Sequence, residues 1–292
     1  MSRFLVTGAT GFLGKHLVRR LEDQGHTVYI SNSTTRNLKD TSTEDWGLPD
    51  LDYIFHLACN TKAGDWCLYH SGEQWLTNQE INTNILEWWH RWQPQAKMIA
   101  MGTGCSYSPE HLPMVEDHYM KGEPDDGLYT YAMTKRMLYQ GLRALNKQWG
   151  HKFTYFVPST LYGPGHSDGD RHFIFDLVRK IRAGKEIGQE VVLWGDGTQR
   201  RELIYVDDAI ELMLRLIDSE EQIINLAAPE GKSIREFAEA VAEILEYDPD
   251  KIVYDTSKYV GIHTKKLDTA KIQSLVPDFQ YTPLKKGIAV IT

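Results

Sequence analysis

Tyr131 and Lys135 stand four residues apart in Tyr131-Ala-Met-Thr-Lys135, within a stretch that reads as helix. That spacing puts both side chains on one helical face. A phenol beside an ammonium is a proton donor whose pKa the neighbouring positive charge can lower. Carbonyl reduction needs such a donor next to a nicotinamide. The pair alone arises often by chance. It gains force from Thr7-Gly8-Ala9-Thr10-Gly11-Phe12-Leu13-Gly14, where glycines follow a short apolar run and open a helix. Glycines in that context give a tight turn, let the backbone approach a pyrophosphate, and aim helix-terminal N–H groups at anionic oxygens. Dinucleotide binding through Gly8, Thr10, Gly11, Phe12, Leu13 and Gly14 is the expectation; a glycine turn without ligand is the alternative.

The second apolar run ends Tyr29-Ile30-Ser31-Asn32-Ser33-Thr34-Thr35-Arg36. An NAD site usually places an acidic residue here for the ribose 2′-hydroxyl. None is present. Asn32, Ser33 and Arg36 suit a 2′-phosphate instead, so NADP(H) is the expected cofactor. Arg36 as a solvated loop charge is the plainer alternative.

These residues need elements to hold them. Strands are expected at 3–7, 27–31, 53–58, 98–101 and 153–157, with helices at 15–24, about 75–92 and 129–149. Strands alternating with helices argue an α/β, Rossmann-type doubly wound parallel sheet covered on both faces. After Gly163-Pro164 the character changes. A loop rich in Gly, His and Asp is expected at 164–172, helices at about 173–183, 207–218 and 233–245, and a strand near 191–194. The expected division is a dinucleotide-binding domain over 1–163, with some later segments returning to it, and a smaller substrate-binding lobe over 164–292.

The 292 residues include 41% hydrophobic and 25% charged side chains, ordinary for a soluble protein. A net charge of −8 without a long basic run argues against a nucleic-acid partner. No apolar run reaches the about 20 residues that span a membrane. The N-terminus runs straight into a strand, so no signal peptide is visible. Cys59, Cys67 and Cys105 are an odd, sparse set that fits reduced thiols in a cytoplasm, and they lack the paired spacing of a zinc site, so no metal is expected.

The glycine spacing, His56-Leu57-Ala58, Tyr131-x-x-x-Lys135 and Leu161-Tyr162-Gly163-Pro164 together resemble the extended short-chain dehydrogenase/reductases over almost the whole chain. Within them, Gly102-Thr-Gly-Cys-Ser-Tyr107, Pro158-Ser-Thr-Leu-Tyr-Gly-Pro164, His172 and Trp194-Gly-Asp-Gly-Thr-Gln-Arg-Arg-Glu202 resemble the GDP-L-fucose synthases. Tyr254-Asp-Thr-Ser-Lys258 and Lys265-Lys-Leu-Asp268 are similar to that group's C-terminal lobe. The resemblance implies an NADPH-dependent 3,5-epimerase/4-reductase of a GDP-4-keto-6-deoxy sugar. Thr103 would hydrogen-bond the substrate carbonyl, Tyr131 would protonate O4, and Lys135 would hold the nicotinamide ribose. Cys105 and His172 would serve as epimerisation base and acid. Leu57, Ala58, Pro158 and His172 would add to the cofactor site. Thr160, Lys180, Trp194, Arg201 and Lys258 would join Thr103 in contacting the nucleotide sugar. A homodimer formed through two helices per subunit, one carrying the Tyr–Lys pair, is implied by the same resemblance.

The chemistry is coherent on its own terms. A 4-keto group acidifies the protons on C3 and C5, so a base and an acid on opposite ring faces can invert those centres. Plainer roles stand beside these: Cys105 as a small buried residue, His172 as a surface residue, one of Arg200 and Arg201 solvated, Trp194 in the core, Asp207-Asp208 as helix N-terminal charge. Two departures bear on the substrate. Thr103-Gly104 replaces the usual Ser-Ser, and Thr160 replaces an Asn that normally contacts it. Against the resemblance, the sequence stops at Thr292, short of the usual last helix, and a lobe trimmed or completed by a partner is the expectation. A 4-reductase without epimerisation on a related keto-sugar such as a 6-deoxyheptose, an NAD-dependent nucleotide-sugar 4-epimerase and a non-enzymatic NADP-binding sensor are the competing functions.

Overall fold

The computed structural model describes residues 1–39, 44–61, 66–165, 172–258 and 263–292. In chain order the first half comprises β1 (Arg3–Thr7), α1 (Phe12–Asp23), β2 (Thr27–Ser31), β3 (Tyr53–His56), the short α2 (Trp66–Tyr69), α3 (Ser71–Trp92), β4 (Lys97–Met101), α4 (Tyr129–Trp149) and β5 (Phe153–Pro158). Then come β6 (Thr160–Tyr162), α5 (Phe173–Ile187), β7 (Val191–Trp194), β8 (Arg200–Arg201), β9 (Leu203–Tyr205) and α6 (Val206–Arg215). The chain closes with β10 (Ile223–Leu226), β11 (Lys232–Ser233), α7 (Ile234–Ile244), β12 (Ile252–Asp255), α8 (Ala270–Leu275) and α9 (Leu284–Ala289).

A six-stranded sheet runs β10-β5-β4-β3-β1-β2, parallel throughout. Successive strand residues face opposite sides, and here both sides are dry. Leu5, Ile54, Met98 and Tyr155 point to one face and pack with Ile85, Trp88 and Trp89 of α3 and Leu138 and Leu142 of α4. Their neighbours Val6, Phe55, Ile99 and Phe156 point to the other, against Leu17 and Leu21 of α1 and Ile210 and Met213 of α6. Each such burial stabilises the fold by about 1.5–3 kcal/mol. A separate cluster of Ile174, Ile181, Val191, Leu193, Phe237 and Val241 joins α5, β7 and α7 on the substrate side.

Parallel strands bring their C-terminal ends to one edge, where open α/β sheets bind ligands. Thr7, His56, Met101 and Pro158 end four of these strands, and the expected site residues follow them directly.

Several expectations need correction. The sixth strand, β10, was not among the expected ones. α1 opens at Phe12 and α3 at Ser71, each three or four residues before the expected start. The loop expected at 164–172 falls, apart from its ends, outside the described residues. Asp207 and Asp208 sit in the first turn of α6, and Asp208 also accepts hydrogen bonds from the Thr282 backbone and hydroxyl, both at 2.7 Å. Among the described residues, no helix is long and apolar enough to cross a membrane, and no cluster of three or more His, Cys, Asp or Glu is placed to hold a metal ion.

Candidate active site

The cleft at the strand ends has a volume of about 1550 Å³. A pocket for one small ligand holds roughly 300–1,000 Å³, so a dinucleotide and a second ligand fit together. Gly8, Gly11, Phe12, Leu13 and Gly14 form one end. Gly8 has φ +66°, and a Cβ there would lie 2.7 Å from the Ala58 nitrogen. A Cβ on Gly14 would collide with the Gly8 carbonyl. Gly11 caps α1, whose first turn holds no acidic residue, so its positive end is open to an anion.

Beneath this turn lies His56. Its Nδ1 meets Thr7 Oγ1 at 2.9 Å and its Nε2 meets Asn82 Oδ1 at 3.1 Å. Thr7 Oγ1 also accepts the Leu57 and Ala58 N–H groups at 3.1 and 3.2 Å. Burial pulls the His56 pKa down to about 4, with a smaller push from the Lys135 charge, against the Asn82 hydrogen bond. The imidazole is therefore neutral near pH 7 and ties the first strand to the third.

Tyr131, Lys135 and Thr103 all line the cleft, with Tyr131 hydrogen-bonded to Thr103. Lys135 is buried and its Nζ donates to the Met101 carbonyl at 2.9 Å. Thr103 follows β4 and caps a 3-10 turn over Gly104–Ser106, its Oγ1 accepting the Cys105 N–H at 3.2 Å. α4 grips that turn: Ser106 Oγ donates to the Ala132 carbonyl and Arg136 Nε donates to the Ser106 carbonyl. The Tyr131 phenol is deeply set yet keeps an edge on the cleft. Its pKa is held well above 10, first by burial, then by its nearness to Cys59 and Cys105, while a hydrogen bond with Thr103 opposes the rise. This is the reverse of the lowering that the Lys135 neighbour alone can give; desolvation of the phenolate is the first cause. The phenol stays protonated at neutral pH, which is the form a proton donor needs.

The substrate side is assembled from segments far apart in sequence. Cys105, Thr160, His172, Lys180, Trp194 and Arg201 all line the cleft. Lys180 is paired with Asp176 at 3.0 Å. Arg201 Nη1 donates to the Arg200 and His263 carbonyls at 2.8 and 3.2 Å, and burial lowers its pKa, with the nearby Cys105 opposing that shift. Arg200 does not line the cleft; it pairs loosely with Glu236 at 3.8 Å. Trp194 is 58% exposed on the rim, not in the core.

Two further residues were missed. Lys265 lines the cleft with Nζ 3.6 Å from Cys105 Sγ; its only sequence signal was the Lys-Lys-Leu-Asp run. Glu202 is buried in the lining of the same cleft, with Oε2 accepting the Leu267 N–H at 2.8 Å and Oε1 unpartnered. Burial pushes its pKa up to about 7.

Not every expected residue reaches the cleft. Leu57 and Pro158 line it; Ala58 touches the cradle only through its backbone. Thr10 is exposed on the glycine turn. Asn32, Ser33 and Arg36 stand on a shoulder beyond Gly8, reached through the Gly8 N–H bond to the Ser31 carbonyl at 3.0 Å. Asn32 folds that shoulder by accepting the Thr34 and Thr35 N–H groups. Lys258 is exposed and does not line the cleft. Asp255 turns the chain outward there, accepting from Ser257 N and Oγ at 3.0 and 2.6 Å, so a substrate contact from Lys258 is not supported.

A glycine-turned nucleotide cradle beside a Thr–Tyr–Lys centre is the pattern that comparison with known proteins resolves. Residues 4–227 match the model of the NAD dependent epimerase/dehydratase family. The chain belongs to that family. Among its relatives, the GDP-L-fucose synthase of Dictyostelium discoideum is 26% identical, over 97% of this chain and 92% of its own. The dTDP-4-dehydro-6-deoxy-D-allose reductase of a Streptomyces species is 28% identical, over 97% and 93%. Among solved structures, a GDP-L-fucose synthetase from Naegleria fowleri bound to NADP superposes with a TM-score of 0.89 at 26% identity, covering 99% of this chain and 91% of that one. The family is one of nucleotide-dependent enzymes, and its mostly parallel sheet flanked by helices is the architecture described above.

Proposed function

We propose that the protein is an NADPH-dependent 3,5-epimerase/4-reductase of a GDP-linked 4-keto-6-deoxy sugar, forming GDP-L-fucose or a close relative. The observation that carries this is the meeting of Thr103, Tyr131 and Lys135 with Cys105 in one cleft between the glycine cradle and Arg201. NADPH bound on the cradle supplies the hydride. The missing acid after β2, the Arg36 shoulder and the NADP-bound relative support the phosphorylated cofactor.

The residues divide the work. Cys105 takes a proton from the carbon beside the keto group, and His172, at the N-terminus of α5, returns one from the other side. Thr103 hydrogen-bonds the carbonyl. Tyr131 gives its phenolic proton to O4 as C4 is reduced, and Lys135 stabilises the negative charge that develops. Arg201 offers a planar fork that matches diphosphate oxygens. Supplied with GDP-4-keto-6-deoxymannose, the protein should oxidise one NADPH per sugar and release GDP-L-fucose. Failure to oxidise NADPH would sink the proposal.

A second assignment, 4-reduction without epimerisation on a related nucleotide keto-sugar, is favoured by one departure and one relative. Thr160 replaces the Asn usual at the substrate, and the relative at 28% identity is named a reductase. A 4-epimerase would retain tightly bound NAD, which the acid-free end of β2 does not favour. A sensor would have no use for an intact Tyr131–Lys135 pair. We also propose a homodimer through α3 and α4, supported by exposed Leu76 on the first and Met137 on the second, and a cytoplasmic location, supported by three free cysteines.

A further inference from the structure

The Tyr131 end of the cleft carries an aromatic lip that the proposed chemistry does not use. Trp66 and Tyr69 of α2, with His70 just after it, line the same cleft as Tyr131 and Thr103. Cys67 and Leu68 of the same helix share with Tyr131 a second, smaller cavity of about 180 Å³, so α2 adjoins the reducing phenol.

The lip is built, not loose. The Trp66 and His70 rings lie parallel, 4.7 Å apart with 8° between their planes. His70 is steadied by Glu73 at 3.3 Å. The buried Cys67 thiol accepts from Gln74 Nε2 at 3.4 Å. Ahead of α2, Asn60 is clamped by Asn78 through bonds of 2.7 and 2.9 Å. Tyr69 is nonetheless 78% exposed.

Arg201, Lys180 and Lys265 also line the cleft, and none belongs to α2. Phosphates pair with such cations, which leaves the aromatic residues of α2 for the part of the ligand that carries C–H surface. A pyranose ring presents polarised C–H bonds on its faces, and an aromatic ring attracts them with its negative face. We propose that Trp66, backed by His70, is a stacking platform for the sugar ring of the nucleotide sugar and thereby a specificity-determining residue. This rests on the nucleotide-sugar assignment above.

The test compares Trp66→Ala and Trp66→Phe with the wild type, all holding NADP. Affinities for GDP and for GDP-mannose are measured by calorimetry, with KM for GDP-4-keto-6-deoxymannose and for NADPH. Trp66→Ala should weaken both sugar-bearing ligands by about three- to tenfold and leave GDP and NADPH unchanged. Trp66→Phe should restore most of the loss. Equal losses for GDP and GDP-mannose, a loss confined to NADPH, or no change would each overturn the platform. A wild type that neither binds GDP-mannose nor reduces the keto-sugar would overturn the functional assignment itself, and the platform with it; the unmutated protein alone reveals that case.

Discussion

The two halves of the cleft are made differently. The reducing half rests on the central sheet: Thr7, His56, Thr103 and Lys135 are all buried, and each is fixed by hydrogen bonds to its neighbours. Much of the substrate half hangs on two- to four-residue strands, with Trp194 on an exposed rim and Arg201 on the two-residue β8, beside α5, which carries Lys180. The reduction proposed for Tyr131 tolerates little displacement, which suits residues fixed at the edge of the sheet. Contacts that select a sugar can be replaced without disturbing the sheet, and relatives named for different sugars fit that division. Each half also hides one titratable strut, and the two are shifted in opposite senses. His56 is pulled down to about 4 under the cradle; Glu202 is pushed up to about 7 under the substrate wall.

The largest effect should fall on the reducing half. Tyr131→Phe should cut reduction by roughly 10²–10⁴-fold with NADPH affinity retained, read by stopped-flow reduction and a separate binding titration. Because burial holds this phenol well above 10, reduction by the wild type should show no loss from its ionisation up to about pH 10. An alkaline limb near neutrality that vanishes in the Phe variant would contradict the burial account.

Next come the two struts. The unfolded chain protonates His56 more readily than the native one, so its contribution is full above about pH 6.5 and is lost as pH falls through 4. Native Glu202 holds its proton more tightly than the unfolded chain, so its contribution is full below about pH 4.5 and is lost as pH rises through 7. Each limb should amount to about 3 kcal/mol of unfolding free energy, measured by denaturant titration across pH. Glu202→Gln should flatten only the alkaline limb. If it flattens both or neither, the opposed-strut comparison breaks.

A smaller effect should separate the paired arginines. Arg201→Ala should raise KM for the nucleotide sugar by about 10–100-fold with kcat little changed, the sign of binding made equally in ground and transition states. Arg200→Ala should do far less, since its side chain faces Glu236 and stays outside the cleft. Equal effects from the two would erase the distinction between cleft wall and surface.

Much of the reducing half was legible because its signals are contiguous. β2, α4 and β7 fall on the expected residues, since each has a clear period or apolar run with turn residues beside it. β10 was not legible: Ile-Ile-Asn-Leu is too short to show alternation, and its partner β5 lies far back in the chain. The substrate half was only partly visible. Lys265 reaches Cys105 across 160 positions, a juxtaposition that no local pattern encodes. The sign of the Tyr131 shift was misread for a related reason. The Lys135 neighbour is written in the sequence, whereas the burial that overrides it is a property of the packed cleft.

The most direct test of the epimerase/reductase assignment is to run the reaction in heavy water with GDP-4-keto-6-deoxymannose and NADPH, then locate deuterium in the product. Inversion by Cys105 and His172 before reduction at Tyr131 predicts deuterium on C3 and C5, hydride from NADPH on C4, and loss of the C3 and C5 label in Cys105→Ser. NADPH oxidation with no deuterium on either carbon would contradict it and leave a reductase alone.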